Sequence, residues 1–304
     1  MVGAVIVGAG EGRRMGATVR KQFTKVGGKP IIAYTLEMFE NSPLIDHIVA
    51  VVPKDALDWT KEEVADAYGF RKIRAIVPGG ESRQESVLNG LKALKDKTEI
   101  VVIHDAVRPL VSETLIRRVI DAARKTGAAI TAIPARDTVK QVESGQIVGT
   151  LDRRLLWFAQ TPQSFRYNII LDAHRRALED RLQVTDDASL VENYGAKVTV
   201  AVGSYSNLKI TSPEDMPLFE YFLRQDNRAR LHASQRKSAQ GRPARRRGPQ
   251  RRGAQKGGPK RKAPQQAASQ QSGPQRKDQQ PKDAQRRRPR QRQSRGRRQK
   301  SRRR

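Results

Sequence analysis

Val5-Ile6-Val7 runs directly into Gly8-Ala-Gly-Glu-Gly-Arg-Arg-Met15, and Lys21 follows seven residues after Arg14. A short β-branched run without polar alternation suits a strand covered on both faces, as in a parallel sheet flanked by helices. Glycines at positions 8, 10 and 12 let the backbone turn tightly and approach a ligand with no Cβ in the way. Successive amides in such a loop form an anion-binding concavity, and a helix start beyond it adds to the field. Arg13, Arg14 and Lys21 bring cations to the same spot. The segment predicts an α/β fold with a nucleoside triphosphate cradle at the tip of its first strand.

Two common glycine motifs do not fit. A dinucleotide fingerprint requires a third glycine where this chain has Arg13, and the next apolar run, His47–Val52, ends in Pro53 with no acid for a ribose diol. A Walker loop requires a glycine and Lys-Ser/Thr at a spacing that Gly8 and Arg13 do not supply.

Downstream, short apolar runs alternate with stretches of helical apolar spacing. Helices are expected near Ile31–Glu40, Thr60–Tyr68, Ser86–Leu94, Leu115–Lys125, Tyr167–Leu178 and Pro213–Leu223. Strands are expected at His47–Val52, Ile73–Val77, Ile100–Ile103, Ala128–Ile133 and Lys197–Val202, with Asn207–Thr211 strand-like. This alternation predicts a doubly wound, mostly parallel sheet with ligands at the carboxyl ends of the strands. Gly8–Lys21, Gly79–Ser86 and Asp105–Arg108 would then share one edge. Thr138–Val142 and Ile147–Leu151 around Glu143-Ser144-Gly145 read as a β-hairpin. A hairpin of this size is marginal alone, so it is expected to pack on a partner subunit as a dimerisation arm. Trp157 and Phe158 are expected in the core or at that contact. His104 is expected to be packed at a strand end, and Asp186 and Asp187 to cap the next helix.

Charge divides the chain at residue 224. From Gln225 onward there are 29 Lys+Arg against Asp226, Asp278 and Asp283, a net of +26 out of the chain's +29. That stretch has no aromatic residue, and its one large aliphatic is Leu231. It cannot bury enough apolar surface to offset chain entropy, so residues 225–304 are expected to be a disordered basic tail. Residues 1–224, with a net of +3, suit one folded domain. The absence of cysteine excludes a disulfide framework and thiolate metal sites. The first core strand begins too early to leave room for a signal peptide, and no apolar run approaches ~20 residues; a cytoplasmic location is expected.

Taken in order, several segments resemble one family. They are Gly8-Ala-Gly-x-Gly-Arg-Arg-Met with Lys21-Gln22-Phe23, Gly79-Gly80-x-x-Arg83-x-x-Ser86-Val87, and His104-Asp105-Ala106-Val107-Arg108-Pro109. Arg136-Asp137-Thr138-Val139-Lys140, Thr161-Pro162-Gln163-Ser164-Phe165, Thr185-Asp186-Asp187-Ala188-Ser189 and Asn207-Leu208-Lys209-Ile210-Thr211 follow. Over roughly residues 2–223 the chain resembles the 2-C-methyl-D-erythritol 4-phosphate cytidylyltransferases, CTP-using enzymes of non-mevalonate isoprenoid synthesis. Where the family commonly has proline before the lysine, this chain has Arg20.

The resemblance implies transfer of CMP from CTP to the sugar phosphate with release of pyrophosphate, aided by Mg²⁺ or another divalent cation. It implies that Arg14 and Lys21 stabilise the transition state while Arg153 and Lys209 position the acceptor. Asp105, Arg108, Thr138 and Thr185 would line the sugar-phosphate site, some contributed by the arm of a homodimer partner, with Asp105 also beside the metal. Gly8, Ala9, Gly10, Gly80, Glu81 and Ser86 would hold cytosine and ribose, with Ala106 nearby. The alternatives are a ribitol 5-phosphate cytidylyltransferase, which shares the CTP loops, and a nucleic-acid-binding protein acting through Arg245–Arg247, Arg286–Arg288 and Arg302–Arg304.

Overall fold

A computed structural model describes residues 1–10, 20–94 and 97–225. Strands β1 (Val2–Val7), β2 (Lys25–Val26), β3 (Lys29–Pro30), β4 (His47–Val52), β5 (Ile73–Pro78) and β6 (Ile100–Asp105) form the first part. Strands β7 (Ala128–Pro134), β8 (Lys140–Glu143), β9 (Gln146–Thr150), β10 (Trp157–Arg166) and β11 (Thr199–Val202) follow. Between them lie helices α1 (Ile31–Glu40), α2 (Leu57–Thr60), α3 (Arg83–Lys92), α4 (Glu113–Thr126), α5 (Tyr167–Glu179) and α6 (Asp187–Asn193). A last helix, α7, spans 215–225.

Seven strands make one sheet in the order β11-β7-β10-β6-β1-β4-β5. β1 pairs in parallel with β4 and β6, β4 with β5, and β7 with β11. β10 runs antiparallel between β6 and β7. Alternate residues of each central strand serve opposite faces. Ala4 and Ile6, Ala50 and Val52, and Val102 pack under α1 and α4. Val5, Val49, Val51, Val101 and Ile103 pack under α3, α5 and α6. Because both faces are covered, these strands are continuous apolar runs. The doubly wound, mostly parallel sheet expected from the sequence is present.

α3 sits close on the sheet. A Cβ on Gly90 would run into Val5 Cγ1 and lie 2.9 Å from Val51 Cγ2. Ser82 starts the helix, its hydroxyl accepting from Glu85 N at 3.1 Å. This close seating brings Arg83 and Ser86 to the carboxyl edge of the sheet.

β10 was not anticipated. Its Pro162 lacks a ladder donor, which argues against a central strand, and Gln160, Gln163 and Ser164 obscure the apolar alternation. The strand absorbs the proline at an irregularity, where its pairing with β7 shifts between Gln160 and Gln163. Two further expectations are corrected. The helix expected at Thr60–Tyr68 begins at Leu57 and continues as a π-helical turn over Lys61–Asp66. Asn207–Thr211 is irregular, not a strand. Of the two places expected for Trp157 and Phe158, exposures of 43% and 55% exclude the core of this chain. The hairpin is present as β8–β9, turning through Ser144 and Gly145 at φ +48° and +81°. No helix among the described residues is long and apolar enough to cross a membrane.

Candidate active site

β1 leads to β4 on one side and is flanked by β6 on the other, so the strand order reverses here and the connections diverge. Crevices for ligands form at such a switch point. A cleft of about 750 Å³ opens at these tips, lined among others by Gly8, Lys21, Gly80, Arg83, Asp105 and Lys209.

The β1 tip is held from several sides. Gly8 N donates to Val51 O at 2.7 Å, and Ala106 N donates to Val7 O at 2.8 Å. A Cβ on Gly8 would lie 2.9 Å from the Ala106 Cβ, so the two strand tips meet at that glycine. Buried Gln22 donates from Nε2 to Gly8 O at 2.6 Å and to Gly10 O at 3.0 Å. Tying both carbonyls back keeps their negative ends away from an incoming anion. Lys21 opens the turn Lys21–Phe23, which Phe23 anchors edge-on against Trp59 at 4.8 Å. Arg20, ahead of it, donates through Nη1 to both Asp55 oxygens at 2.8 and 2.9 Å. Its charge is therefore engaged at the rim.

The second wall is the turn before α3. Ser86 Oγ donates to Ser82 O at 2.9 Å and accepts from Gly80 N at 3.1 Å. Glu81 N donates to Glu85 Oε2 at 2.9 Å. A Cβ on Gly79 would run into Ala9 Cβ and lie 2.8 Å from Ser86 Oγ. The two glycine-bearing loops therefore touch, and Gly79 is where they do so.

Asp105, at the tip of β6, gathers the cations. Its carboxylate lies 2.7 Å from Lys209 Nζ, 3.3 Å from Arg83 Nε and 3.9 Å from Arg108 Nε. Burial alone would raise its pKa, but Arg83 and Lys209, then Arg108, hold it well below the usual carboxylate range. Its backbone N donates to Thr161 Oγ1 at 3.1 Å. Arg108 is buried and donates to Asn207 O at 2.8 Å, while Asn207 Nδ2 donates to Thr161 O at 2.8 Å. The irregular 207–210 segment is thereby stitched to the β10 irregularity, which sets Lys209 beside Asp105. Three cations around one carboxylate leave a net positive field at the cleft floor, suited to phosphate oxygens.

The structure thus brings together Gly8, Ala9, Gly10, Lys21, Gly80, Glu81, Ser86, Asp105 and Lys209 on one cleft, with Ala106 and Arg108 immediately behind. Arg153 and Thr138 are not in its lining. Both are exposed near the hairpin, and Arg153 donates through Nη1 to Arg136 O at 2.6 Å. Thr185 is exposed just before α6 and also outside the lining. Arg14 lies outside the described residues. His104 is fully buried beside Phe39, with ring centroids 5.1 Å apart, as expected of a packed strand-end residue. Asp186 caps α6, accepting from Ser189 N at 3.1 Å. Asp187 does something else: it is buried against Arg83 and His174. Gln22 and Arg83 stand in the quoted motifs but were given no role. An arginine opening α3 just after the Gly79-Gly80 turn was the signal for the second.

The sequence profile of the 2-C-methyl-D-erythritol 4-phosphate cytidylyltransferases matches residues 2–225. A protein of that name from Geobacter metallireducens is 49% identical over 225 residues, covering 73% of this chain and 97% of the relative. Its counterpart from Syntrophus aciditrophicus is 49% identical over 224 residues, covering 73% and 96%. The solved 4-diphosphocytidyl-2C-methyl-D-erythritol synthase of Anaerococcus prevotii superposes with a TM-score of 0.66 at 35% identity, covering 73% of this chain and 96% of that one. The Francisella tularensis 2-C-methyl-D-erythritol 4-phosphate cytidylyltransferase gives 0.62 at 33%, covering 73% and 99%. With the family profile matched over residues 2–225 and relatives at 49% identity along that length, the chain belongs to the 2-C-methyl-D-erythritol 4-phosphate cytidylyltransferase family.

Proposed function

We propose that the chain transfers CMP from CTP to 2-C-methyl-D-erythritol 4-phosphate. The phosphate oxygen of the acceptor attacks the α-phosphorus, the bond from that phosphorus to the bridging oxygen breaks, and pyrophosphate leaves. The attacking oxygen is already anionic near neutral pH, so no general base is required. What the protein must supply is alignment of two mutually repelling anions and charge opposite the oxygens where negative charge grows. The cluster of Arg83, Arg108 and Lys209 on Asp105, facing the Gly8–Gly10 loop across one cleft, carries this reading.

In this scheme the Gly79–Ser86 turn holds the cytosine, its short backbone geometry favouring a pyrimidine edge. Lys21 and Arg14 neutralise the triphosphate, and Lys209 and Arg153 orient the acceptor. The described residues hold no group of three or more metal-ligating side chains. Among the described carboxylates lining the cleft, Asp55, Glu81 and Asp105, the last is buried and paired with Lys209. That donor set fits a magnesium ion carried largely on triphosphate oxygens with one carboxylate beside it. When bound, the divalent ion neutralises phosphate charge.

Val142, Ile147, Val148, Leu151 and Leu155 are exposed apolar residues of the hairpin and the segment after it, near Trp157 and Phe158. Such a patch supports a homodimer in which one arm brings Thr138 and Arg153 toward the partner's cleft. The enzyme is assigned to the cytoplasm, and the basic segment 225–304 to binding polyanions such as nucleic acid. Pyrophosphate release with CTP, comparing methylerythritol 4-phosphate with ribitol 5-phosphate, tests the assignment. Methylerythritol phosphate should be preferred, and turnover should stop on chelation and resume with Mg²⁺. Preference for ribitol phosphate would move the chain to that activity, and comparable rates with ATP or GTP would sink both.

A further inference from the structure

Arg83 stands in the cleft wall with two of its three guanidinium nitrogens committed. Nε donates to Asp105 Oδ1 at 3.3 Å and Nη1 to Asp187 Oδ2 at 2.8 Å. Nη2 has no hydrogen-bond partner among the described residues, and the side chain is 29% exposed. On the far side, Asp187 is 1% exposed, and its other oxygen lies 3.2 Å from Nε2 of fully buried His174. Burial pushes the Asp187 carboxyl up, yet Arg83 and His174 outweigh it and keep the group ionised.

Stability does not account for this arrangement. Burying a carboxylate and an arginine costs several kcal/mol, and apolar side chains of the same volume often serve a fold as well or better. What two carboxylates on two edges of a planar fork do provide is orientation. They fix the fork in the lining of the cleft, on the same carboxylate that Lys209 meets.

We propose that Arg83 is a further catalytic residue, donating from Nη2 to the phosphoryl group in transfer, and that Asp187, seated on His174, is its positioning residue. The inference rests on the cytidylyl transfer proposed above. The test is a double-mutant cycle in the full-length protein, reading kcat, KM for each substrate, CTP affinity and thermal midpoint. Arg83→Gln should lower kcat by ~10²-fold with CTP affinity within a few-fold, as for loss of a preorganised donor. Asp187→Asn should lower kcat by about tenfold. The double variant should be no slower than Arg83→Gln alone, because Asp187 acts only through Arg83. Full kcat in Arg83→Gln, or losses that multiply in the double variant, would overturn the proposal. If Asp187→Asn does not fold, Arg83→Lys decides. It keeps the charge but not the fork, so it should stay slow, and wild-type turnover would remove the positioning argument. A wild-type protein without cytidylyltransferase activity removes both readings, whereas an active wild type with active Arg83 variants removes this one alone.

Discussion

Lys21 and Arg20 are adjacent cations lining the cleft, and the proposed transfer gives them different duties. Arg20 is already engaged by Asp55, and an exposed pair of this kind is worth at most ~1 kcal/mol. Arg20→Ala should therefore leave kcat and the thermal midpoint nearly unchanged. Lys21→Ala should lower kcat by ~10²–10³-fold, the usual cost of a lost preorganised charge donor; steady-state kinetics on both variants checks this. If Lys21→Ala retains turnover while Arg20→Ala loses it, their roles are exchanged. A second residue-scale expectation concerns His104, whose pKa burial pushes down to about 4. Between that value and ~6.5 the unfolded chain binds a proton that the folded chain does not. Stability should therefore fall as pH drops from 6.5 to 4, by up to roughly 3 kcal/mol from this group. His104→Gln should flatten thermal midpoints across that window, and an unchanged slope would assign the loss to other groups. At this scale the sequence displayed residues but not their partners. Arg83 is visible in its turn, yet its carboxylates lie 22 and 104 positions away, a pairing that only the strand order creates.

Elements were legible where one physical signal dominated. The runs at His47–Val52 and Ile100–Ile103 could hardly be anything but buried strands, and α4 shows both its apolar face and its Gly127 stop at φ +91°. β10 was illegible because proline and glutamines contradict the pattern, and the fold tolerates them through a pairing shift and hydrogen bonds made far away in sequence. The close approach of the two loops makes Gly79 a sharp test. Gly79→Ala would drive a methyl group against Ala9 and Ser86 and spread the walls proposed to hold the nucleotide. CTP affinity should fall at least ~10-fold with a small change in stability, as cleft-rim displacement rather than core loss predicts. Unaltered binding by titration calorimetry would show that the loops have room to move. The hairpin offers a test of a different kind. Ile147 is 64% exposed, so Ile147→Asp should not unfold the protomer. If the arm closes a dimer, a buried unpaired charge there should dissociate it. Light scattering that still reports the wild-type mass would reject the arm as the interface.

For the whole molecule, charge and the family match divide the chain at the same place. The family match ends at residue 225, within a few positions of the point where the net charge jumps. Phe219 of α7 is fully buried with Val26, Ile31 and Ile210, and Leu223 packs against that cluster. A truncation must therefore keep α7, and ending it at Gln225 removes +26 charges without touching the described core. Such a protein should fold, keep its oligomeric state and retain kcat/KM within a few-fold of full length. The full chain should bind RNA and DNA without sequence preference. Its affinity should fall steeply as salt rises, because neutralising many phosphates releases condensed counterions. The truncated protein should show no such binding in fluorescence anisotropy across the same salt series. At low ionic strength the tail should also gather CTP and Mg²⁺-free triphosphates weakly, so its removal should alter KM more at low salt than at physiological salt. A truncated enzyme that is inactive at physiological salt would mean that residues beyond 225 help to build or gate the cleft, and the division of the chain into enzyme and polyanion-binding segment would be wrong.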